Sequence, residues 1–357
     1  MNHKKLQKVL DENNQPSFRF GQIVKAIFRD GINRFDEITT ISKDLRRSLG
    51  SELSVYPFTV KDVVVSRDGR AIKALFELED GKVIESVLIS PKPDVWSACI
   101  SSQVGCAMAC KFCATGQLGL SRDLTVDEIT SQAIFWRGYL QENKIEGSYA
   151  NIVYMGMGES FNNWDNMKES IKILTDENLG NFPNRGIAVS TSGVVPGIKK
   201  FADTFGQVNL AISLHFADDK KRDKYMPVNK AYNLSKLRDS LQYYLRKNRR
   251  RIFIEYIMLK DINDSGNDAR ALIKYIKSIG FEGLIIVNLI KYNSIDERFE
   301  PSTRQSVVRF KSLIETGGIP CTIRRSIGDD IHGACGQLGR KAQAKSSPSK
   351  ARVSLVG

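Results

Sequence analysis

No stretch of this chain approaches the ~20 consecutive apolar residues that a bilayer-spanning helix needs. A membrane-spanning helix is therefore not expected. Histidine is scarce: His3, His215 and His332 are scattered, so no H-x3-H pair exists to complete a zinc site. Six cysteines in 357 residues are too few, and too clustered, for a disulfide framework. No second C-x2-C accompanies the one at Cys110 and Cys113. No internal repeat is visible. The opening Met1-Asn2-His3-Lys4-Lys5 leads into a charged amphipathic segment rather than an apolar leader, and the expectation is a cytoplasmic protein.

Acidic residues are also in deficit. Lys and Arg number 53 against 40 Asp and Glu, a net charge of +13, which suits a polyanionic partner such as nucleic acid as well as a merely solvated basic surface. The densest basic run, Arg246 to Arg251, reads as a solvated helix end. At 357 residues with 41% hydrophobic content, one large domain plus a smaller one is expected.

The stretch with the most chemistry is Cys106-Ala107-Met108-Ala109-Cys110-Lys111-Phe112-Cys113, a C-x3-C-x2-C pattern. Three thiolates on one tight loop can each ligate a different iron of a [4Fe-4S] cubane and leave the fourth iron without a protein ligand. Structural zinc, the competing reading, is usually closed by four ligands.

Taken in order, residues 1 to about 55 read as short helices. Leu6, Val9 and Leu10 share a face, Pro16 interrupts, Phe20, Ile23, Ala26 and Ile27 form a second stripe, and Leu45 and Leu49 follow Ser42. The unit is basic through Lys25, Arg29, Arg34, Lys43, Arg46 and Arg47. Strand-like runs at 71–79 and 82–89 flank Asp80-Gly81, a hairpin signal. On the second run Glu85 sits among apolar neighbours, either as a solvent charge of an edge strand or as a buried acid fit for proton transfer.

From about residue 95, short apolar runs at 98–101, 151–155, 186–190, 208–215, 252–258 and 283–290 alternate with amphipathic helices, the first opened by a capping box at Thr125 to Glu128. Six βα units imply an α/β fold whose parallel sheet curves into a barrel or partial barrel, with chemistry at the C-terminal ends of the strands. A last strand is expected at 321–325. The expected division is an accessory unit over 1–90 that includes the hairpin, a catalytic domain over 91–340, and a disordered basic tail over 341–357.

The cysteine loop follows the first of these strands. Gly156-Met157-Gly158-Glu159 follows the second; glycines there admit a ligand closely, and a carboxylate can accept from an amino group. Ser190-Thr191-Ser192-Gly193, Ser213-Leu214-His215 and Asn293 occupy the same rim. Singly, each is also an ordinary cap or turn residue. Cys335, in Gly333-Ala334-Cys335-Gly336, has a flexible setting suited to reaching a site; Cys99 lies seven residues before Cys106; Cys321 reads as a small buried hydrophobe, as Cys99 also does.

Together, Ser101 to Cys106, Lys111 to Gly116, Met155 to Glu159, Ser213 to His215 and Ala334 to Leu338 resemble the RlmN/Cfr family of radical S-adenosylmethionine (SAM) RNA methyltransferases, over nearly the whole chain. Ser160 stands where members commonly carry Pro, and His332-Gly333 where Asp-Ala is commoner.

The resemblance implies a (β/α)6 partial barrel with an N-terminal RNA-binding accessory domain, and a [4Fe-4S] cluster on Cys106, Cys110 and Cys113. It implies SAM contacts at Gly158, Glu159, Ser190, Ser213, Leu214, His215 and Asn293. It further implies that Cys335 takes a methyl group from one SAM, that a second SAM yields a 5′-deoxyadenosyl radical, and that the resulting carbon radical adds to the base. Adenine C2 and C8 are not nucleophiles able to attack a sulfonium methyl, which makes a radical route intelligible. Glu85 matches the family's proton acceptor, and Cys99 would release product by a transient disulfide with Cys335. The expected activity is methylation of C2 of an adenosine in 23S rRNA and also in tRNA, with an electron donor such as flavodoxin. The alternatives are C8 methylation of the Cfr type, which confers resistance to ribosome-directed antibiotics, and a non-catalytic zinc-stabilised RNA-binding protein.

Overall fold

Leu6, Val9 and Leu10 are buried on one side of α1 (His3–Glu12), and Ile23, Val24, Ala26 and Ile27 on α2 (Phe18–Phe28), so both helices show the apolar face that their spacing predicts. Helix α3 (Lys43–Glu52) starts where Ser42 Oγ accepts from the Leu45 N–H, and buries Leu45 and Leu49. The structure is a computed structural model and describes residues 3–339; the tail expected over 341–357 lies outside the described residues.

The chain then enters an antiparallel meander, β1 (Phe58–Val65), β2 (Ala71–Leu78) and β3 (Val83–Lys92). The β2–β3 hairpin falls where Asp80-Gly81 predicts it. Strand β1 carries no clear alternation, because a bulge between Val60 and Asp62 shifts its register and most of its residues face solvent. Strand β3 then pairs antiparallel with β4 (Val95–Cys99), Val87 opposite Cys99. The sheet thus runs without interruption across residue 90, and the hairpin expected with the N-terminal unit is hydrogen-bonded to the first barrel strand.

Beyond β4 come the short pair β5 (Gln103–Gly105) and β6 (Leu120–Asp123), with α4 (Ala114–Gln117) between them. Helix α5 (Val126–Glu142) opens with the Thr125–Glu128 capping box. There follow β7 (Ser148–Tyr154), α6 (Trp164–Thr175), β8 (Ile187–Thr191), α7 (Val195–Thr204), β9 (Asn209–Ser213), α8 (Asp219–Tyr225), α9 (Leu234–Asn248), β10 (Ile252–Met258), α10 (Gly266–Ile279), β11 (Ile285–Lys291), α11 (Arg304–Thr316) and β12 (Cys321–Arg324). Strands β4 and β7 to β12 are parallel neighbours in one ten-stranded sheet that begins at β1 and ends at β12, an open barrel rather than a closed one. Cys321 is buried in β12, as a small hydrophobe would be. The basic run at 246–251 is the end of α9, where Arg249 adopts the left-handed conformation that terminates the helix.

Candidate active site

Every residue with expected chemistry sits at or beyond the C-terminal end of a barrel strand, apart from Glu85 in the flanking meander. Cys99 closes β4, Gly158 and Glu159 follow β7, Ser190 is near the end of β8, Ser213 ends β9 with Leu214 and His215 after it, Asn293 follows β11, and Cys335 lies beyond β12.

The cysteine loop is a tight fold anchored at both ends. The Cys106 N–H donates to Gly119 O at 2.9 Å, and Gly105 holds a φ of +78°; a Cβ there would lie 1.9 Å from that same carbonyl oxygen. Only glycine fits. Ala109 also takes a positive φ, of 52°. Burial pushes the Cys106 thiol up to about 12, with the Glu159 and Cys113 charges adding to it. Burial raises Cys110 well above its ordinary value, reinforced by Cys113 and Cys106 and opposed by Arg222. Cys113 is raised by burial against the Gly116 and Thr115 N–H groups and the Thr115 hydroxyl, all of which favour its thiolate. The three sulfurs thus feel one another, and only a metal centre would make thiolates of them near neutrality. Three cysteine donors on one loop match a cubane, which takes one thiolate on each of three irons, and fall one short of the four ligands that close a structural zinc site.

The next two strand ends interlock. Glu159, 4% exposed, has Oε2 held by the Ser192 N–H at 2.7 Å and the Ser192 hydroxyl at 2.8 Å; its own N–H donates to Gln103 Oε1 at 2.8 Å. Burial raises the Glu159 pKa and Ser192 pulls against that rise. Gly158 has φ +108°, and a Cβ on it would lie 2.6 Å from the Gln103 Cβ, so the loop packs down on the strand that precedes the cysteines. Ser190 and Ser213 hydroxyls pair at 3.1 Å.

His215 is buried with φ +58°, and its Nδ1 accepts from the Ile257 N–H at 3.1 Å. Burial, and then the Arg222 charge, push its pKa down to about 3, so the ring is neutral and Nε2 carries the proton. The Phe112 ring of the cysteine loop meets the imidazole edge-on, centroids 5.0 Å apart. Asn293 Nδ2 donates to the Cys335 carbonyl at 3.1 Å, while its Oδ1 is buried with no donor among the described residues. That acceptor suits a ligand N–H or O–H at the rim.

The C-terminal segment closes over this rim. Ala114 N–H donates to Gly336 O at 2.8 Å, Thr115 Oγ1 to Leu338 O at 2.6 Å, and Gly339 N–H to Glu85 Oε2 at 2.7 Å. Cys335 is exposed, Cys99 half-buried, and both are free thiols. Burial pushes Cys99 up to about 12, with Cys335 adding to the rise and Arg324 opposing it. Arg324 is itself held by Glu255 at 3.3 Å. Glu85 is 3% exposed, the buried alternative of the two, with Lys73 Nζ 3.3 Å from Oε1.

Sequence reasoning did not single out Lys73, Gln103, Ser192, Arg222 or Arg324. Ser192 and Gln103 lie inside quoted motifs; Lys73, Arg222 and Arg324 carry no local signal, since each acquires its role from a partner elsewhere in the chain.

Comparisons agree with this layout. Residues 100–276 match the family profile described as Radical SAM superfamily, and residues 1–55 that of the ribosomal RNA large subunit methyltransferase N-terminal domain. Among curated proteins, the ribosomal RNA large subunit methyltransferase Cfr of Clostridium botulinum is 40% identical over 94% of this chain and 96% of its own length. The probable dual-specificity RNA methyltransferase RlmN of Alkaliphilus oremlandii is 40% identical over 95% of this chain and 96% of its own. A crystal structure of a radical SAM methyltransferase from Sphaerobacter thermophilus superposes with a TM-score of 0.87 at 37% identity, covering 95% of this chain and 98% of that one.

Proposed function

Because this chain belongs to the RlmN/Cfr family of radical-SAM ribosomal RNA methyltransferases, we propose that it methylates C2 of an adenosine in 23S rRNA, and of an adenosine in tRNA, with Cys335 as the methyl carrier. The observation that carries this reading is the triple tether of the Cys335 segment to the cysteine loop and to Glu85. Carrier, cluster loop and proton acceptor are thereby fixed relative to one another, which is the positioning that a multistep transfer on one base requires.

Cys106, Cys110 and Cys113 hold a [4Fe-4S] cluster, and Gly158, Glu159, Ser190, Ser213, Leu214, His215 and Asn293 hold SAM. Cluster and SAM, when bound, supply a 5′-deoxyadenosyl radical. The chain's own residues do the rest. Neutral His215 offers an Nε2–H donor, and Asn293 offers an acceptor with no partner among the described residues. Cys335 carries the methyl-derived carbon onto the base. Glu85, with Lys73 Nζ 3.3 Å from its Oε1, takes the proton from the substituted ring carbon. Once the adduct radical has passed its unpaired electron to a one-electron redox partner, the Cys99 thiol gives up its proton and its sulfur attacks the Cys335 sulfur: an S–S bond forms, the S–C bond breaks, and its electron pair stays with the carbon, which takes up a proton to become the methyl group. The basic helices α1 to α3 dock the RNA backbone, and a low-potential electron donor such as flavodoxin would be the redox partner.

The test is anaerobic reconstitution with iron and sulfide, incubation with SAM, reductant and unmodified rRNA or tRNA, and mass spectrometry of the nucleosides. We expect 2-methyladenosine. Cfr-named relatives at 40% identity make 8-methyladenosine the rival product, and its appearance would move the protein to that branch. Absence of any methyladenosine with cluster and SAM cleavage intact would mean that the substrate is wrong.

A further inference from the structure

We infer that Arg222 is a positioning residue for electron transfer at the cysteine loop: its guanidinium is the buried counter-ion of the anionic cluster on Cys106, Cys110 and Cys113, and it makes that cluster easier to reduce. The inference rests on the cluster reading given above.

Arg222, on α8, is 0% exposed. All its hydrogen bonds go to neutral acceptors: Nε to Asn229 Oδ1 at 2.9 Å, Nη2 to Ser192 O at 2.9 Å, and Nη1 to Leu214 O and, at 3.6 Å, to Met226 Sδ. No Asp or Glu oxygen among the described residues lies within 4.0 Å of it. Asp219 and Asp223, on the same helix, spend their Oδ1 atoms on Asn229 Nδ2 instead, at 2.9 and 2.8 Å. A fully buried cation facing only neutral dipoles is expensive, and guanidinium does not lose its proton in proteins. Such a group persists where an anion stands opposite.

The geometry places that anion at the cysteine loop. The Lys111 N–H, next to Cys110, donates to Tyr225 O on α8 at 3.0 Å, which fixes the helix against the loop. Met226, whose Sδ accepts from Arg222 Nη1, sits in one buried cluster with Phe112 and Ala114 of the loop, and Cys110 and Cys113 pack against that cluster. A cubane on three thiolates is negative and becomes more so when it gains an electron. A fixed buried cation beside it therefore stabilises the reduced form, and cluster potential follows local charge. The same guanidinium clamps the carbonyls of Ser192, two residues after the expected SAM contact Ser190, and of Leu214, itself an expected contact, so charge and cradle are set by one side chain.

The experiment compares wild-type, Arg222→Met and Arg222→Lys full-length proteins. Each is reconstituted anaerobically with iron and sulfide and titrated, without SAM, against a low-potential one-electron reductant, with paramagnetic resonance of the reduced cluster as the readout; SAM binding is then measured by calorimetry. Arg222→Met is expected to need at least a tenfold larger reduced-to-oxidised reductant ratio for half-reduction, a fall of about 59 mV for a one-electron couple. Arg222→Lys is expected within threefold of wild type. A wild-type titration in Arg222→Met overturns the inference, as does weaker SAM binding at unchanged potential, which would assign the charge to the SAM carboxylate. If Arg222→Met takes up no iron, Arg222→Lys decides: restored loading at wild-type potential supports the counter-ion, and loss in both variants leaves only a structural fork and overturns it. A wild-type protein with no [4Fe-4S] signal would refute the cluster reading itself.

Discussion

The backbone N–H of Gly339 donates to Glu85 Oε2 at 2.7 Å across 254 residues of sequence. The other oxygen, Oε1, faces Lys73 Nζ at 3.3 Å, and Lys73 Nζ also reaches the His332 carbonyl at 3.4 Å. A buried carboxylate on the meander is thereby coupled to both flanks of the Cys335 segment. Movement of the carrier and position of the base are not independent.

Glu85→Gln keeps an amide oxygen for the Gly339 N–H but removes the base. We expect release of methylated nucleoside to fall by about 100-fold or more, the lower range for loss of a general base, with a covalent RNA–protein adduct accumulating. Denaturing gels with end-labelled RNA would show the adduct. Wild-type release without adduct would remove Glu85 from proton transfer.

The two cysteines outside the loop should fail differently. Cys335→Ala is expected to abolish methylation while leaving iron content at the wild-type level, because Cys335 is exposed and contributes no ligand to the loop. Cys99→Ala is expected to trap RNA on the protein, since the carrier then lacks its resolving thiol. Full methylation in either variant would refute the carrier route.

Gly105→Ala should disable the cysteine loop rather than the barrel. Its φ of +78° costs a non-glycine residue about 1–2 kcal/mol, and its Cβ would lie 1.9 Å from the Gly119 carbonyl that receives the Cys106 N–H. We expect iron loading after reconstitution to drop severalfold and the melting temperature to fall. Gly69→Ala is the control: φ is +68°, but nothing lies within 4 Å of the added methyl, so it should show a small stability loss and normal iron. Equal loading in both variants would contradict the steric argument.

Local rules read much of this molecule correctly. The stripe on α2, the Ser42 and Thr125 caps, the Asp80-Gly81 turn and the six barrel strands are all written in residue spacing, and only their ends shift, as where β4 begins at Val95 rather than Ala98. Strand β1 was illegible because a bulge destroys its alternation, and β5 and β6 because three or four residues carry no period. At the site, cysteine spacing was visible, but the partners that orient it were not. Gln103 meets the Glu159 N–H from 56 residues away, and Arg222 reaches Ser192 from 30 away. Neither spacing follows from propensity or pattern; both come from adjacent strands delivering their loops to one rim.

The buried imidazole gives a pH signature. His215 titrates at about 3 in the folded protein because burial and the Arg222 charge oppose its protonation, against about 6.5 when unfolded. Between those values the unfolded chain binds a proton that the folded chain does not, so stability falls as pH drops from about 6.5 toward 3, by on the order of a few kcal/mol. Above pH 7 both states hold a neutral ring and the effect vanishes. His215→Asn, whose side chain can still accept from the Ile257 N–H, should flatten the part of the acid slope that belongs to this residue. Chemical denaturation between pH 4.5 and 7.5 would measure it. An unchanged slope in the variant would mean that His215 is protonated in the fold, which would also cost it the Nδ1 acceptor now facing Ile257.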